Sequence, residues 1–502
     1  MHRKERRWLR RAVLCACVLF VLQYLGATPV VNWLDTASYP KPLPVTINEP
    51  DENATSNKYW VDMTSGAGTT CSQASPCASI DNVIGKTGTA GGPAIIYIKG
   101  SGGWSGFNDT LHGTGDADCR TQSCANWILV KPWPAGSPGC VTECTATFDG
   151  NGNTNSANIN HIIFDGGPDL KIRFDSNDGT NIYAFHWQSD YTIVYRVQVF
   201  CASDGGDHTG FAVADNNNAG DHTYFINNEG HDCAQSSNVQ ASFVYLGPGS
   251  GTTGGANDLV IQNSILRDFG GDGIEINPRI AVTGITITGN VIYNAGNIST
   301  FAGSHRPGIT VGNNTGAADN GVIVANNLIW NTGSGCIWAR ANGTPAALYY
   351  NNTCYDYTNT GGGTDPQPQG ISDINGACPN GTVKNNIIYD PDGNNPTCSS
   401  PGASITNNAC ASGKNCGSSS QVWTTAGWGS ISTASSLYLT LASGSVAIDT
   451  GTATGAPTAA ATDFLGTSRP QGSAYDIGAF EFTSGGGGSP QRFRFIRIGG
   501  GE

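Results

Sequence analysis

Val324-Ala325-Asn326-Asn327-Leu328-Ile329-Trp330-Asn331 is one copy of a phrase that recurs through the middle of the chain. Other copies are Phe225-Ile226-Asn227-Asn228-Glu229-Gly230-His231-Asp232, Val260-Ile261-Gln262-Asn263-Ser264-Ile265-Leu266-Arg267 and Ile287-Thr288-Gly289-Asn290-Val291-Ile292-Tyr293-Asn294. Tyr350-Asn351-Asn352-Thr353-Cys354-Tyr355-Asp356 and Val383-Lys384-Asn385-Asn386-Ile387-Ile388-Tyr389-Asp390 follow, then a fainter Ile405-Thr406-Asn407-Asn408-Ala409-Cys410. Each copy has an Asn, two positions that are mostly apolar, usually an aromatic, then a polar residue. The Asn positions 228, 263, 290, 327, 352, 386 and 408 are spaced by 35, 27, 37, 25, 34 and 22. Repeats of this length build solenoids. No window sustains a 3.6 period, and Gly, Asn, Asp, Thr and Ser punctuate short β-rich runs, so helical repeats are excluded. The phrase stays fixed while the spacing varies, so strands stack in register and loops absorb the difference. The expected fold is all-β, a right-handed parallel β-helix. Asn at one turn of every coil forms a ladder and tolerates left-handed backbone there. The Ile and Leu beside it fill the core, and Tyr293, Trp330, Tyr355 and Tyr389 stack alongside.

This pattern resembles the pectate-lyase-like superfamily, in particular its secreted right-handed β-helix repeat proteins, over roughly residues 58–482. The entry segment Tyr59-Trp60-Val61-Asp62, Ser75-Pro76-Cys77-Ala78-Ser79-Ile80 and Ala94-Ile95-Ile96-Tyr97-Ile98 is similar to that family's first strand, capping helix and first coil. Its closing segment is similar to Ala447-Ile448-Asp449-Thr450-Gly451, Asp463-Phe464-Leu465-Gly466-Thr467-Ser468-Arg469-Pro470 and Asp476-Ile477-Gly478-Ala479-Phe480-Glu481. The resemblance implies an architecture; one fold hosts many activities.

Composition narrows the partners. The chain has 502 residues, 69 of them Gly, with 13% charged residues and a formal net charge of −13. So few Lys and Arg make a poor nucleic-acid binder. Residues 1–27 read as a signal peptide or signal anchor, with a basic start and a 15-residue apolar run from Ala12 to Gly26, short for a membrane span. Leu25-Gly26-Ala27 is a poor cleavage site, so attachment to a membrane through this segment remains an alternative to secretion. Residues 28–57 form a linker, 58–482 the β-helix, and 483–502 a Gly-rich linker and tail. Of 16 Cys, 14 lie beyond the apolar run as near neighbours: 71 and 77, 119 and 124, 140 and 144, 201 and 233, 336 and 354, 378 and 398, 410 and 416. Behind an export signal, these read as local disulfides.

β-Helix enzymes of the resembled superfamily work on polysaccharides along an outward groove. Its polygalacturonase-type pattern (Asn-Thr-Asp, Asp-Asp, Gly-His-Gly, Arg-Ile-Lys) is absent here. A uronate lyase needs a base and a cation, often calcium, to acidify the proton beside a carboxylate. The base is commonly Lys or Arg, and no Lys occurs between 172 and 383, so Arg, His or Tyr would serve. A two-carboxylate glycosidase needs paired Asp or Glu. Coil alignment supplies them: Gly273-Ile274-Glu275-Ile276 matches Gly308-Ile309-Thr310-Val311 and Gly335-Cys336-Ile337-Trp338. Apolar positions point inward, so Glu275 is expected to face solvent, with Asp272 at the preceding turn and His305 and Arg306 one coil on. These four are the catalytic candidates. On the adjoining face, His231 and Asp232 meet Arg267 and Asp268, the candidate substrate-binding set. The plainer alternative makes both clusters structural ion pairs. No resident cofactor is expected; calcium is the one candidate, in the loops Asp204-Gly205-Gly206-Asp207-His208 and Gly220-Asp221-His222. The leading reading is an exported carbohydrate-active protein acting on a polysaccharide or surface glycan, as hydrolase or lyase. The alternative is a non-catalytic adhesive or glycan-binding surface β-helix. Oligomeric state is not legible.

Overall fold

A computed structural model describes residues 57–83, 93–102, 127–149, 161–175, 191–200, 221–233, 257–277, 282–296, 306–312, 321–339, 347–357, 381–394, 404–432 and 438–483, short pieces between these runs, and the pairs 31–32 and 494–495. The chain coils into a right-handed parallel β-helix. One coil runs through Thr223–Ile226, Glu229–Cys233 and Val244–Leu246; the next through Val260–Gln262, Ile265–Phe269 and Ile274–Ile276. Each strand pairs in parallel with its counterpart one coil away, as in Phe225 with Ile261 and Leu266 with Ile292. Three sheets result, here called first, second and third in the order a coil meets them. The first two share the strand Ala94–Gly102 and together hold 23 strands; the third holds eight. Among the described residues the helices are three 3-10 turns, and Ile80–Val83 stands where the capping helix is expected. None is long and apolar enough to cross a membrane.

Strand alternation sends every second side chain into the tube. Phe225, Ile261, Ile287 and Val324 from the first sheet, Leu266, Ile292 and Ile329 from the second, and Ile274, Ile309 and Ile337 from the third share one continuous core. The Asn ladder stands at the turn between first and second sheets. Asn290 Nδ2 donates to Asn327 Oδ1 at 3.0 Å, Asn327 to Asn352 at 2.9 Å, Asn352 to Asn386 at 3.0 Å and Asn386 to Asn408 at 3.1 Å. Asn263 corrects the expected list. The ladder slot in its coil belongs to Ser264, whose N–H donates to Asn290 Oδ1 at 2.9 Å and whose Oγ accepts from the Asn228 N–H at 3.2 Å. Asn263 takes the left-handed position before the slot, at φ 52°, as Asn326, Asn351 and Asn385 do in theirs.

Those left-handed Asn residues hold the chain's end. Asn326 Nδ2 donates to Thr462 O at 2.8 Å, Asn351 to Asp476 O at 2.9 Å and Asn385 to Thr452 O at 2.8 Å. The closing segment thereby lies over the outer face of the second sheet. Its Trp428, Leu439, Leu441 and Phe480 pack with Ile265, Val291, Tyr293, Leu328 and Trp330. Tyr293 stacks on Trp330 at 4.7 Å, and Tyr355 on Tyr389 at 6.3 Å, so the expected aromatic column exists beneath this cover. Arg469 pins the segment from within, donating to Glu481 Oε2 at 2.7 Å with both side chains at 0% exposure.

Disulfides join Cys71 to Cys77, Cys140 to Cys144 and Cys410 to Cys416, as the spacing predicts. Cys233 and Cys378 are also disulfide-bonded. Their expected partners Cys201 and Cys398, and the pair Cys119 and Cys124, lie outside the described residues. Cys336 and Cys354 differ from the expectation. They meet in the core as free thiols, hydrogen-bonded to each other, and burial pushes the Cys336 thiol well up.

Candidate functional site

Two outward faces carry the candidate residues. On the third sheet, one register row holds Tyr245, Glu275, Thr310, Trp338 and Ser372. Ile274 and Ile276 on either side of Glu275 enter the core, so alternation turns Glu275 to the outer face as expected. It does not reach solvent, however: Glu275 is at 0% exposure. Alternation fixes direction, whereas exposure depends on what the rest of the chain lays over the sheet. Thr310, Trp338 and Ser372 in the same row are buried too, and Tyr245 is half-buried. Asp272, at the turn entering this strand, is buried. Its Oδ1 stands 4.0 Å from Arg306 Nη1, so the structure brings these two together across neighbouring coils. His305 lies outside the described residues, as does most of the loop from Asn294 to Ser304 expected to wall a groove.

The second face is the outer side of the second sheet, one coil beyond the cover. Register places His231 beside Arg267, and Arg267 beside Tyr293. Arg267 is the hub. Its Nη1 donates to Asp268 Oδ2 at 2.7 Å and stands 3.8 Å from Asp232 Oδ1, and its Nη2 is 3.5 Å from Glu229 Oε1. His231 Nδ1 is 2.7 Å from Asp232 Oδ2, and its Nε2 is 2.9 Å from Gln198 Nε2. Asn294 Nδ2 donates to Asp268 Oδ1 at 2.7 Å. The hydrogen bond from His231 holds the Asp232 carboxyl below its usual range, with His231 and Arg267 charge adding to it. Burial pulls the Arg267 guanidinium down, but Tyr293, Asp268, Glu229 and Asp232 outweigh it and raise it. Thus all four expected residues meet here, joined by Glu229, Gln198 and Tyr293. A signal for Glu229 exists in the sequence. It fills the first position after the ladder Asn, where register sets Ile265, Val291 and Leu328 in the following coils.

Among the described residues, no three His, Cys, Asp or Glu are gathered to hold a metal. The three carboxylates around Arg267 already enclose a cation, the guanidinium itself. Asp221 Oδ1 accepts from the Asn257 N–H at 2.7 Å and so ties one turn to the next. The loop 204–208 lies outside the described residues.

The architecture is a right-handed parallel β-helix, the fold also seen in a pectate lyase. A solved structure of the pectate lyase Pel9A matches over 85% of this chain and 97% of its own, with a TM-score of 0.52 and 14% identity. At that identity the likeness is one of fold. Looser matches, at a TM-score of 0.32, are a PL6 family alginate lyase, AlyGC, at 15% identity over 73% of this chain and 53% of its own, and a rhamnogalacturonan lyase at 12% over 75% and 91%. No protein-family profile and no curated protein sequence matches the chain.

Proposed function

We propose that the protein is an exported carbohydrate-active β-helix that cleaves a polysaccharide on the outer face of the third sheet. One observation carries the reading: the row Tyr245, Glu275, Thr310, Trp338 and Ser372 sets a carboxylate among hydroxyls and aromatics in register, with Asp272 beside Arg306 at its edge. Aromatic rings and hydroxyls in one row suit sugar rings, which present apolar faces and hydroxyl rims. In this reading Glu275 gives its proton to the glycosidic oxygen. Asp272, kept beside the Arg306 guanidinium, takes a proton from the water that bonds to the anomeric carbon as the C–O bond breaks. His305 and Arg306 complete the set, and the substrate must uncover Glu275 to react. The disulfides are compatible with export.

The burial of Asp272 and Glu275 favours a second reading, in which both are structural and the protein is a non-catalytic adhesive or glycan-binding surface β-helix. A panel of neutral and uronic-acid glycans separates the two. New reducing ends without unsaturation mark a hydrolase; an unsaturated uronate marks a lyase. Glu275→Gln should lower turnover at least ~100-fold, the scale of a lost general acid or base. A responsive glycan whose turnover survives that change moves the centre elsewhere. No response from a folded protein favours the adhesive reading.

A further inference from the structure

The Arg267 hub on the second sheet is incomplete in itself. Arg267 Nε and Tyr293 Oη are buried and make no hydrogen bond, and buried Glu229 Oε1 has only its 3.5 Å ion pair with Arg267 Nη2. The residues are 8%, 4% and 4% exposed, so water does not serve these groups from bulk. Register brings the three together in successive coils: Glu229 precedes His231 by two, and His231, Arg267 and Tyr293 stand in one row. Each unmet group of this kind costs about 1–3 kcal/mol, so the arrangement calls for an occupant.

We infer that this cluster is a binding subsite for a neutral saccharide, distinct from the proposed reaction centre and independent of it. The chemistry of the three open groups selects the ligand. Arg267 Nε–H donates, Glu229 Oε1 accepts, and the Tyr293 hydroxyl does either. A sugar hydroxyl is donor and acceptor at once and satisfies them together. Charge selects neutrality: three carboxylates, Glu229, Asp232 and Asp268, surround a single guanidinium, so a uronate would meet repulsion. A cation is excluded by Arg267, which stands at the centre. The approach is from the open side. Asp232 has a side chain 54% exposed, and the His231 ring lies parallel to half-buried Phe200, 5.9 Å away, giving a platform for a sugar's apolar face. On the other side the closing segment covers Tyr293 and Trp330, so a glycan would end or turn here.

The test is calorimetric titration of the full chain with neutral oligosaccharides and with oligouronates of equal length, together with a crystal soaked in the tightest neutral binder. The expected result is selective binding of the neutral sugar, with a hydroxyl density between Glu229, Arg267 and Tyr293. Tyr293→Phe keeps the stack on Trp330 and removes one hydroxyl; it should weaken binding about tenfold, the scale of one hydrogen bond to a charged partner. Its thermal unfolding, compared with that of the parent, separates lost binding from lost fold. If the destabilised variant cannot be titrated, Glu229→Gln gives the same readout. An ordered water alone in the cluster at saturating sugar overturns the inference. So do equal or tighter binding of the uronate, and unchanged affinity in a folded variant.

Discussion

Asn327 shows how much a single side chain does in this fold. Its Nδ2 donates to Ile287 O at 3.0 Å and to Asn352 Oδ1 at 2.9 Å, and its Oδ1 accepts from both the N–H and the Nδ2 of Asn290. All four bonds are buried, so each amide is satisfied only while its neighbours keep their places. Asn327→Leu fits the space but removes the Nδ2 donor to Ile287 O, leaves the Asn290 N–H unpaired and leaves Asn290 Nδ2 with Ile261 O alone. It should destabilise the protein by ~1–3 kcal/mol in denaturant unfolding, and an unchanged midpoint would count against the ladder. The repeat made this residue legible because local sequence and stacking agree. Asn263 shows the limit. Its phrase, Gln262-Asn263-Ser264, offers one Asn for two adjacent roles, the left-handed turn and the ladder slot. The choice falls to the coils on either side: Ser264 Oγ is short enough to serve the slot and still donate to Gln262 O at 3.1 Å. Glu275 shows a second limit. Period-two alternation gave its direction, but its burial depends on what lies over the strand, and nothing local in Gly273-Ile274-Glu275-Ile276 encodes that.

At the scale of the element, the closing segment is held by buried charge. Asp463, Arg469, Asp476 and Glu481 are all less than a tenth exposed. Asp476 takes N–H bonds from Asp449 and Phe482, which pull its pKa down, yet burial wins and pushes the carboxyl up to about 6 from the ordinary 3.8. As pH falls below 6 the folded protein takes a proton that the unfolded chain does not hold until near 3.8. This group's contribution to stability is therefore present at low pH and lost as pH rises through the folded value. Asp463 is shifted the same way, first by burial. Denaturant midpoints should accordingly be higher near pH ~5 than near pH ~7, and Asp476→Asn should flatten the difference. A parent midpoint as high or higher near pH ~7 than near pH ~5 would contradict the assignment. The sequence resemblance located this segment but not its role as a cover, because the apolar residues it lays on the second sheet are scattered from Trp423 to Phe480 without a period.

At the scale of the whole molecule, the outer faces differ along the axis. On the second sheet Ile265, Val291, Tyr293, Leu328, Trp330 and Ile387 form an apolar, covered patch, whereas Arg267 and the positions before it, Gln198, Glu229 and His231, are polar. A solenoid has one core, but this one has a second apolar layer outside it, shared between the coils and the closing segment. Each large apolar side chain in that layer contributes ~1.5–3 kcal/mol by burial, and Ile265, Val291, Tyr293, Leu328, Trp330 and Ile387 all belong to it. Their sum is comparable with the ~5–15 kcal/mol that separates folded from unfolded domains. The closing segment is thus a condition of the coil stack rather than an appendage. Truncation after residue 420 removes it, strips Asn326, Asn351 and Asn385 of their acceptors in that segment, and exposes an apolar sheet face. Such a face invites association. The truncated chain should therefore be aggregated or lack a cooperative melting transition by sedimentation and calorimetry. A monomeric truncated protein that melts cooperatively near the parent temperature would show instead that the inner core suffices.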